Sequence, residues 1–106
     1  MLDFTGKVAI VTGAGSVGPG WGNGKATAVL LARRGAKVLA IDTNPAAVEE
    51  TVGIIRREGG AAEARICDVT SRAAFEAAVE AAVARFGQLD IMVNNVGGHA
   101  IANAKG

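Results

Sequence analysis

The residues of this sequence whose types and spacing could do chemistry are a cluster of glycines. Six glycines fall within the twelve positions from Gly13 to Gly24, between an apolar run and a run typical of a helix. Glycines let a backbone turn tightly and approach a ligand closely. At the start of a helix, such a turn also directs backbone N–H groups and the positive end of the helix dipole toward an anion. The pattern therefore predicts a turn that binds the pyrophosphate of a nucleotide.

A second candidate is the carboxylate of Asp42, which ends an apolar run and lies 18 residues after Gly24. In dinucleotide-binding units, a carboxylate about 20 residues beyond the glycines accepts hydrogen bonds from the adenosine ribose hydroxyls. Its charge would repel a 2′-phosphate, and no arginine or lysine adjoins it, because Thr43 and Asn44 follow. We therefore expect NAD rather than NADP as cofactor. The alternative is an aspartate that only begins the turn before a helix.

The same glycines raise the alternative of a P-loop, because Gly24 and Lys25 are followed by Thr27. The pattern G-x-x-x-x-G-K-[ST] requires glycine at position 19 and serine or threonine at position 26. The sequence has Pro19 and Ala26 at these positions. A P-loop ATPase or kinase is therefore excluded.

The elements that must position these residues alternate between strands and helices. The predicted strands are Lys7–Thr12, Lys37–Asp42, Glu63–Asp68 and Leu89–Asn94. The predicted helices are Lys25–Arg34, a helix from the cap at Asn44 to Gly59, and a helix from a cap at Thr70 or Ser71 to Gly87. This alternation predicts a parallel sheet with helices on both faces. We expect an α/β fold of the Rossmann type with strand order 3-2-1-4, and a ligand site at the switch point between strands one and four.

Composition limits the class of protein. The chain has 106 residues, enough for one domain, and its 11 basic and 10 acidic residues argue against a nucleic-acid or membrane-surface partner. No apolar run reaches the roughly 18 residues that span a bilayer. The N-terminus, with Asp3 and Lys7, does not resemble a signal peptide. Cys67 is the only cysteine, so we expect no internal disulfide and a soluble cytoplasmic protein.

Candidate acid–base residues are few. The chain has no tyrosine, and His99 is its only histidine. Neither His99 nor Cys67 is accompanied by other residues at metal-ligand spacing. We expect His99 to be an exposed loop residue, Cys67 to be a small core side chain, and the chain to hold no metal.

Four motifs in order resemble the N-terminal, cofactor-binding half of the short-chain dehydrogenase/reductase family. They are Thr12–Ala14 with Gly22–Gly24, then Asp42, then Asp68-Val69, and then Asn94–Gly97. The resemblance covers nearly the whole chain up to Gly98. It predicts a dinucleotide-binding half-domain over residues 1–98, with a loop or frayed tail over residues 99–106.

The resemblance also implies roles for individual residues. Asp68 would bind the adenine amino group, and the Val69 backbone would bind a ring nitrogen. Asn94 and Asn95 are similar to the start of the family's NNAG motif, in which the first asparagine ties the central strand to its neighbours and the adjoining backbone meets the cofactor ribose. The expected cofactor-binding residues are Gly13, Ser16, Gly22, Asn23, Gly24, Asp42, Thr43, Asp68, Val69, Asn94, Asn95, Val96 and Gly97.

The sequence departs from the family pattern within the site. Val17–Trp21 enlarge the glycine turn, and Trp21 either folds over the cofactor or anchors the loop against the surface. Asn23 and Val96 replace the usual isoleucine and alanine. We expect both changes to be tolerated, because backbone groups do the binding.

The family's catalytic serine and Tyr-x-x-x-Lys pair have no counterpart in this sequence. In the family's mechanism the tyrosine hydroxyl acts as acid and base, with its pKa lowered by the lysine. Asn103 and Lys105 come too soon after the fourth strand to replace them. We therefore assign no catalytic residue, and we expect a truncated chain whose own enzymatic activity is uncertain.

Two main hypotheses remain. The chain is the NAD(H)-binding portion of an oxidoreductase, in which hydride moves between nicotinamide and a carbonyl or alcohol carbon in the full-length protein. Alternatively, it is a non-catalytic nucleotide-binding or association module. In that case the strand edge at Ile91–Val93 would present unpaired backbone to a second copy or to a complementing chain. A relic that folds poorly is a third interpretation.

Overall fold

The computed structural model describes residues 3–15 and 22–95, and these residues contain four strands and three helices. In chain order they are β1 (Val8–Thr12), α1 (Asn23–Arg33), β2 (Lys37–Asp42), α2 (Pro45–Arg57), β3 (Ala62–Ile66), α3 (Arg72–Phe86) and β4 (Ile91–Val93). The predicted alternation of strands and helices is therefore confirmed.

The strands form one parallel sheet in the order β3-β2-β1-β4, as predicted. In its register, Ile10 of β1 lies between Leu39 of β2 and Met92 of β4. On the other side of β2, Asp42 is the partner of Ile66, the last residue of β3. All four strands run in the same direction, so their carboxyl ends lie along one edge of the sheet.

The core has two layers because successive strand residues face opposite sides of the sheet. On one side, Val11 and Val38 pack with Val29 of α1 and with Val52 of α2. On the other side, Ile10, Leu39 and Ile41 pack with Ala78 and Ala82 of α3. The predicted coverage of both faces by helices is confirmed. No helix in the described part of the chain is long and apolar enough to cross a membrane.

The helix ends follow the signals in the sequence. The Asn44 side chain accepts a hydrogen bond from the Ala47 N–H at 3.1 Å, and Pro45 is the first residue of α2. Of the two predicted caps for α3, Ser71 is the one used, since its hydroxyl accepts from the Ala74 N–H at 3.3 Å. Gly87 ends α3 in the left-handed region, with φ of +92°.

Several predicted boundaries differ from the structure. Helix α1 begins at Asn23 rather than Lys25, which places Gly24 in its first turn. Strand β3 begins one residue earlier than expected and ends at Ile66, so Asp68 lies beyond the strand. In the register, the last residue of β2 lies opposite Ile66, and the final hydrogen bond between the two segments runs from the Cys67 N–H to the Asp42 carbonyl at 3.1 Å.

The two outer strands, β3 and β4, are less buried than the inner strands β1 and β2. Most residues of β3 and β4 are half-buried or exposed, and the side chain of Met92 is 37% exposed. Each of these strands has only one neighbour among the described strands. On α3, Ala78 and Ala82 are buried, Val79 and Phe86 are partly buried against the same core layer, and Val83 is exposed.

Charged side chains line the outer edge of the sheet at β3. Glu63 lies 3.5 Å from the guanidinium of Arg56 on α2 and 3.2 Å from that of Arg85 on α3. Arg56 also donates two hydrogen bonds to the carbonyl of Ala62, at 3.1 and 2.9 Å. These contacts connect the edge strand to a helix on each face of the sheet.

Candidate functional site

The candidate site lies at the carboxyl edge of the sheet, where β1 leads into the glycine turn. Thr12 ends β1, and its hydroxyl donates to the Asn94 side-chain oxygen just beyond β4 at 2.9 Å. Asp42 ends β2 on the other side of β1. The parallel sheet therefore brings Gly13, Asp42 and Asn94 to one edge, as the strand order predicted.

The glycine turn and the start of α1 are in direct contact. A β-carbon on Gly24 would overlap the carbonyl oxygen of Gly13 and lie 2.9 Å from the side-chain nitrogen of Asn95. Gly13 has φ of +61°, and a β-carbon there would overlap the Asn95 carbonyl oxygen. The Asn95 side chain donates to the Gly13 carbonyl at 3.4 Å. Both positions therefore require glycine. Gly24 is required for close packing, and Gly13 is required both for close packing and for its backbone conformation.

The first turn of α1 is suited to an anion. Gly22 precedes the helix in an extended conformation, and no side chain caps this end among the described residues. The first turn contains no acidic residue. Its one charged side chain, Lys25, is buried and lies 3.0 Å from the carboxylate of Glu50 on α2. The helix dipole therefore meets no fixed negative charge of its own first turn.

The carboxylate of Asp42, at the end of β2, is hydrogen-bonded to the glycine turn. One of its oxygens accepts a hydrogen bond from the Gly15 N–H at 2.8 Å, and the other accepts from the Asn44 N–H at 3.1 Å. Each carboxylate oxygen has a second lone pair for a further donor. A β-carbon on Gly15 would lie 2.5 Å from the Ala47 β-carbon, so α2 packs tightly against the same segment. Thr43, also in the expected set, is exposed beside Asp42.

The sequence reasoning missed Thr51. This residue lies on α2, is fully buried, and donates its hydroxyl to the carbonyl of Ala14 at 2.8 Å. The signal was present in the sequence, since Thr51 falls on the helix face formed by Val48, Val52 and Ile55. A hydroxyl on an apolar stripe needs a hydrogen-bond partner, and here the partner is in the glycine turn.

The reasoning also missed Asp90, at the opposite edge of the sheet. One of its carboxylate oxygens accepts from the Val8 N–H at 2.9 Å and from the Gln88 side chain at 2.6 Å. These two hydrogen bonds, with the backbone one contributing more, hold the pKa of Asp90 below its ordinary value. Asp90 therefore connects the start of β1 to the segment that enters β4.

Asp68 and Val69 lie in the turn between β3 and α3. Asp68 accepts hydrogen bonds from the Thr70 hydroxyl at 2.6 Å and from the Thr70 N–H at 2.9 Å. The hydroxyl contributes most to holding the pKa of Asp68 below its ordinary value. Val69 and Cys67 are half-buried against the core layer under α3. This is the geometry of a strand-to-helix turn, and the adenine contact stays a prediction.

Some predictions fall outside the described residues. These include three expected cofactor-binding residues, the enlarged part of the turn, and the tail residues considered above: Ser16, Val96, Gly97, Val17–Trp21, His99, Asn103 and Lys105.

Comparison with known proteins decides the family. The sequence model of the short chain dehydrogenase family matches residues 7–105. The chain belongs to this family. Short-chain dehydrogenases use the nicotinamide cofactors NAD(P), and the glycine turn with its neighbouring carboxylate fits such a dinucleotide. A side chain at Gly13 or at Gly24 would fill the turn, and the carboxylate of Asp42 adjoins the turn at Gly15.

Two curated relatives are longer than this chain. It is 41% identical over 97 residues to a 7alpha-hydroxysteroid dehydrogenase of Escherichia coli strain K12, covering 92% of this chain and 36% of that relative. It is 45% identical over 96 residues to an uncharacterized oxidoreductase of Thermotoga maritima, covering 91% of this chain and 36% of the relative. The chain thus spans about a third of the length of the curated relatives it matches.

Solved short-chain dehydrogenase structures have the same fold. A hydroxysteroid dehydrogenase from Escherichia coli superposes with a TM-score of 0.83 at 41% identity, over 91% of this chain and 39% of that one. A citronellol catabolism dehydrogenase from Pseudomonas aeruginosa superposes with a TM-score of 0.79 at 35% identity, over 89% of this chain and 37% of that one.

Proposed function

We propose that this chain is the NAD(H)-binding portion of a short-chain dehydrogenase/reductase-type oxidoreductase. The cofactor supplies the hydride chemistry, between nicotinamide and a carbonyl or alcohol carbon, in the full protein. Relatives named for the dehydrogenation of a hydroxysteroid and of glucose support an alcohol or carbonyl compound as the substrate class. No catalytic role is assigned to any residue of this chain.

The observation that carries the proposal is the hydrogen bond between the Asp42 carboxylate and the Gly15 N–H, at 2.8 Å. It joins the carboxylate expected to hold the adenosine ribose to the turn expected to hold the pyrophosphate. A negative charge at that place favours two ribose hydroxyls and repels a 2′-phosphate. This is the basis for NAD over NADP.

Within the site, the glycine turn would approach the pyrophosphate through Gly13, Gly22, Asn23 and Gly24. Gly24 stands at the start of α1, where the backbone N–H groups and the dipole favour an anion. Asp42 would accept from the ribose. Asp68, Val69, Asn94 and Asn95 follow the neighbouring strands at the same edge and are proposed as further contacts.

Isothermal titration calorimetry of the full protein with NADH and with NADPH tests this proposal. We expect saturable binding of NADH and a dissociation constant for NADPH at least about tenfold higher, because the charge on Asp42 opposes the 2′-phosphate. Absence of binding at millimolar concentrations of both cofactors would contradict the proposal. Tighter binding of NADPH would contradict the choice of NAD.

A non-catalytic association module is the second candidate, and the exposure of β4 favours it. Among the described strands, β4 pairs only with β1, and Met92 is 37% exposed on it. A strand from a second copy or from a complementing chain would satisfy this edge. Sedimentation velocity over a range of concentrations tests the idea, and a monomer throughout the range would contradict it.

The cytoplasmic location expected from the sequence stays a prediction, which cell fractionation would check.

A further inference from the structure

One peptide unit in the glycine turn is held at both ends by side chains from other elements. This unit joins Ala14 to Gly15. Its carbonyl oxygen accepts a hydrogen bond from the Thr51 hydroxyl at 2.8 Å, and its N–H donates to the Asp42 carboxylate at 2.8 Å. The two side chains come from α2 and from the end of β2, so the orientation of one peptide plane depends on both.

The hydroxyl of Thr51 makes this contact although a local partner is available. A threonine within a helix commonly bonds the carbonyl four residues earlier in its own helix. Here that carbonyl belongs to Ala47 and also accepts from the hydroxyl, at 3.3 Å, a longer hydrogen bond than the one to the Ala14 carbonyl at 2.8 Å. Thr51 is fully buried, so water does not compete for its proton. The shorter of the two hydrogen bonds of this hydroxyl is therefore the one to the glycine turn.

A rotation of this peptide plane would break both bonds at once. The Ala14 carbonyl would point away from Thr51 and lose its partner in a buried place, which is unfavourable. The Gly15 N–H would point away from Asp42, and the carboxylate would lose one of the two backbone donors that orient it. The neighbouring Ala14 N–H, bonded to the Ile41 carbonyl at 3.0 Å, fixes the chain on the other side of Ala14.

We propose that Thr51 is a positioning residue of the cofactor site, which sets the Ala14–Gly15 peptide and through it the orientation of the Asp42 carboxylate. The inference rests on the proposed function, since Asp42 and the glycine turn are its binding groups. Because Thr51 is fully buried, we assign it no contact with the cofactor. Its effect reaches the ribose side of the site through one peptide unit.

Two substitutions separate the hydroxyl from the volume of the side chain. Thr51→Val keeps the shape and removes the donor, whereas Thr51→Ser keeps the donor and removes a methyl group. In the unliganded full protein, we expect Thr51→Val to speed hydrogen exchange of the Gly15 amide severalfold, and Thr51→Ser to leave it near the wild-type rate. We expect the dissociation constant for NADH to rise about fivefold in Thr51→Val, the effect of one net hydrogen bond.

Ile55→Val is the matched control, because Ile55 is buried on the same helix and its side chain has no group that could hydrogen-bond to the glycine turn. It should lower stability without changing Gly15 exchange or NADH affinity. If Thr51→Val behaves like Ile55→Val in both measurements, the proposal is overturned. If Thr51→Val fails to fold, loss of NADH affinity in Thr51→Ser would overturn the proposal and retention would support it. If the wild type binds no dinucleotide, the proposed function fails, and Gly15 exchange still decides the role of Thr51.

Discussion

The carbonyl oxygen of Gly13 occupies the space in which a β-carbon of Gly24 would stand. The two glycines are separated in sequence by the enlarged turn, yet the start of α1 rests directly on the end of β1. Helix α1 begins two residues before the predicted start, so Gly24 belongs to its first turn. Any side chain at position 24 must move the helix away from the strand.

Replacing Gly24 by alanine tests this contact. We expect Gly24→Ala to lower the free energy of unfolding by about 1–3 kcal/mol, the usual range for forcing extra atoms into a packed site. We expect this loss of stability even though alanine has a higher helix propensity than glycine. Urea denaturation measures the change, and NADH titration should show weakened binding as the turn is displaced.

Gly53→Ala is the matched control, since Gly53 is also a glycine within a helix. A β-carbon there would meet only the end of the Arg57 side chain, at 3.3 Å, which is free to move. We expect the free energy of unfolding of this variant to rise by about 0.5–1 kcal/mol, because alanine reduces the backbone entropy of the unfolded chain. Equal effects at the two positions would contradict the proposed contact.

Replacing Asp42 by asparagine separates its charge from its shape. The side-chain oxygen of asparagine can still accept from the Gly15 N–H, which keeps the turn in position, whereas its NH2 group cannot accept from the Asn44 N–H, so the variant loses the charge and one backbone hydrogen bond. We expect NADH affinity to fall about tenfold, because bonds to an ionised acceptor are stronger, and NADPH affinity to change less or to rise. Calorimetric titration with both cofactors measures the ratio of NADH affinity to NADPH affinity.

Glu49→Gln controls for the loss of one negative charge. Glu49 is exposed on α2, and its side chain has no hydrogen-bond partner among the described residues. We expect it to leave the ratio of NADH to NADPH affinity unchanged. A ratio that is the same in Asp42→Asn as in the wild type would argue against a ribose-binding role for Asp42.

The hydrogen bond from Thr12 to Asn94 should stabilise the pairing of β1 with β4. Thr12 is fully buried and donates to the Asn94 side-chain oxygen at 2.9 Å. We expect Thr12→Val to cost about 1 kcal/mol of stability, the net value of a typical hydrogen bond. Because Asn94→Ala removes the same bond, the double variant should lose less than the sum of the single losses. Additive losses in urea denaturation would show that the bond contributes nothing.

The stability of the fold should depend on the ionisation of Asp90. Hydrogen bonds from the Val8 N–H and from Gln88 hold the pKa of Asp90 below its ordinary value of 3.8. Above that pH both the folded and the unfolded chain are ionised, and the stabilisation is complete. As the pH falls below it, the unfolded chain binds a proton first and the stabilisation is lost.

Urea denaturation at about pH 7 and at about pH 3 tests the role of Asp90. We expect Asp90→Asn to be less stable than the wild type at the higher pH, with a smaller difference at the lower pH. Glu80→Gln, at an exposed position on α3, should keep the wild-type pH dependence. A difference for Asp90→Asn that does not change with pH would contradict this account.

Local patterns in the sequence were enough to predict much of the fold. The run that ends at Asp42 predicted β2 with its observed bounds, and Asn44 with Pro45 predicted the start of α2. The alternation of elements predicted the strand order, because parallel strands with intervening helices have few possible arrangements. These features depend on residues close together in the chain.

Contacts between distant residues could not be predicted in the same way. Asp90 lies 82 positions from Val8, and nothing in either segment marks them as partners. The end of β3 at Ile66 lies opposite the end of β2 at Asp42, a relationship between two strands that the sequence of β3 alone does not contain. On α3, small alanines are buried because the large side chains Ile10, Leu39 and Ile41 of the sheet fill that layer.

The charged border of the sheet at β3 has a consequence for how the sheet is extended. A strand added beside β3 would have to strip water from Glu63 and from its arginine partners, or break their ion pairs. The border at β4 carries Ile91, Met92 and Val93, which gain by being covered. Pairing of a further strand is therefore unfavourable at β3 and favourable at β4. We expect additional strands to join the sheet next to β4.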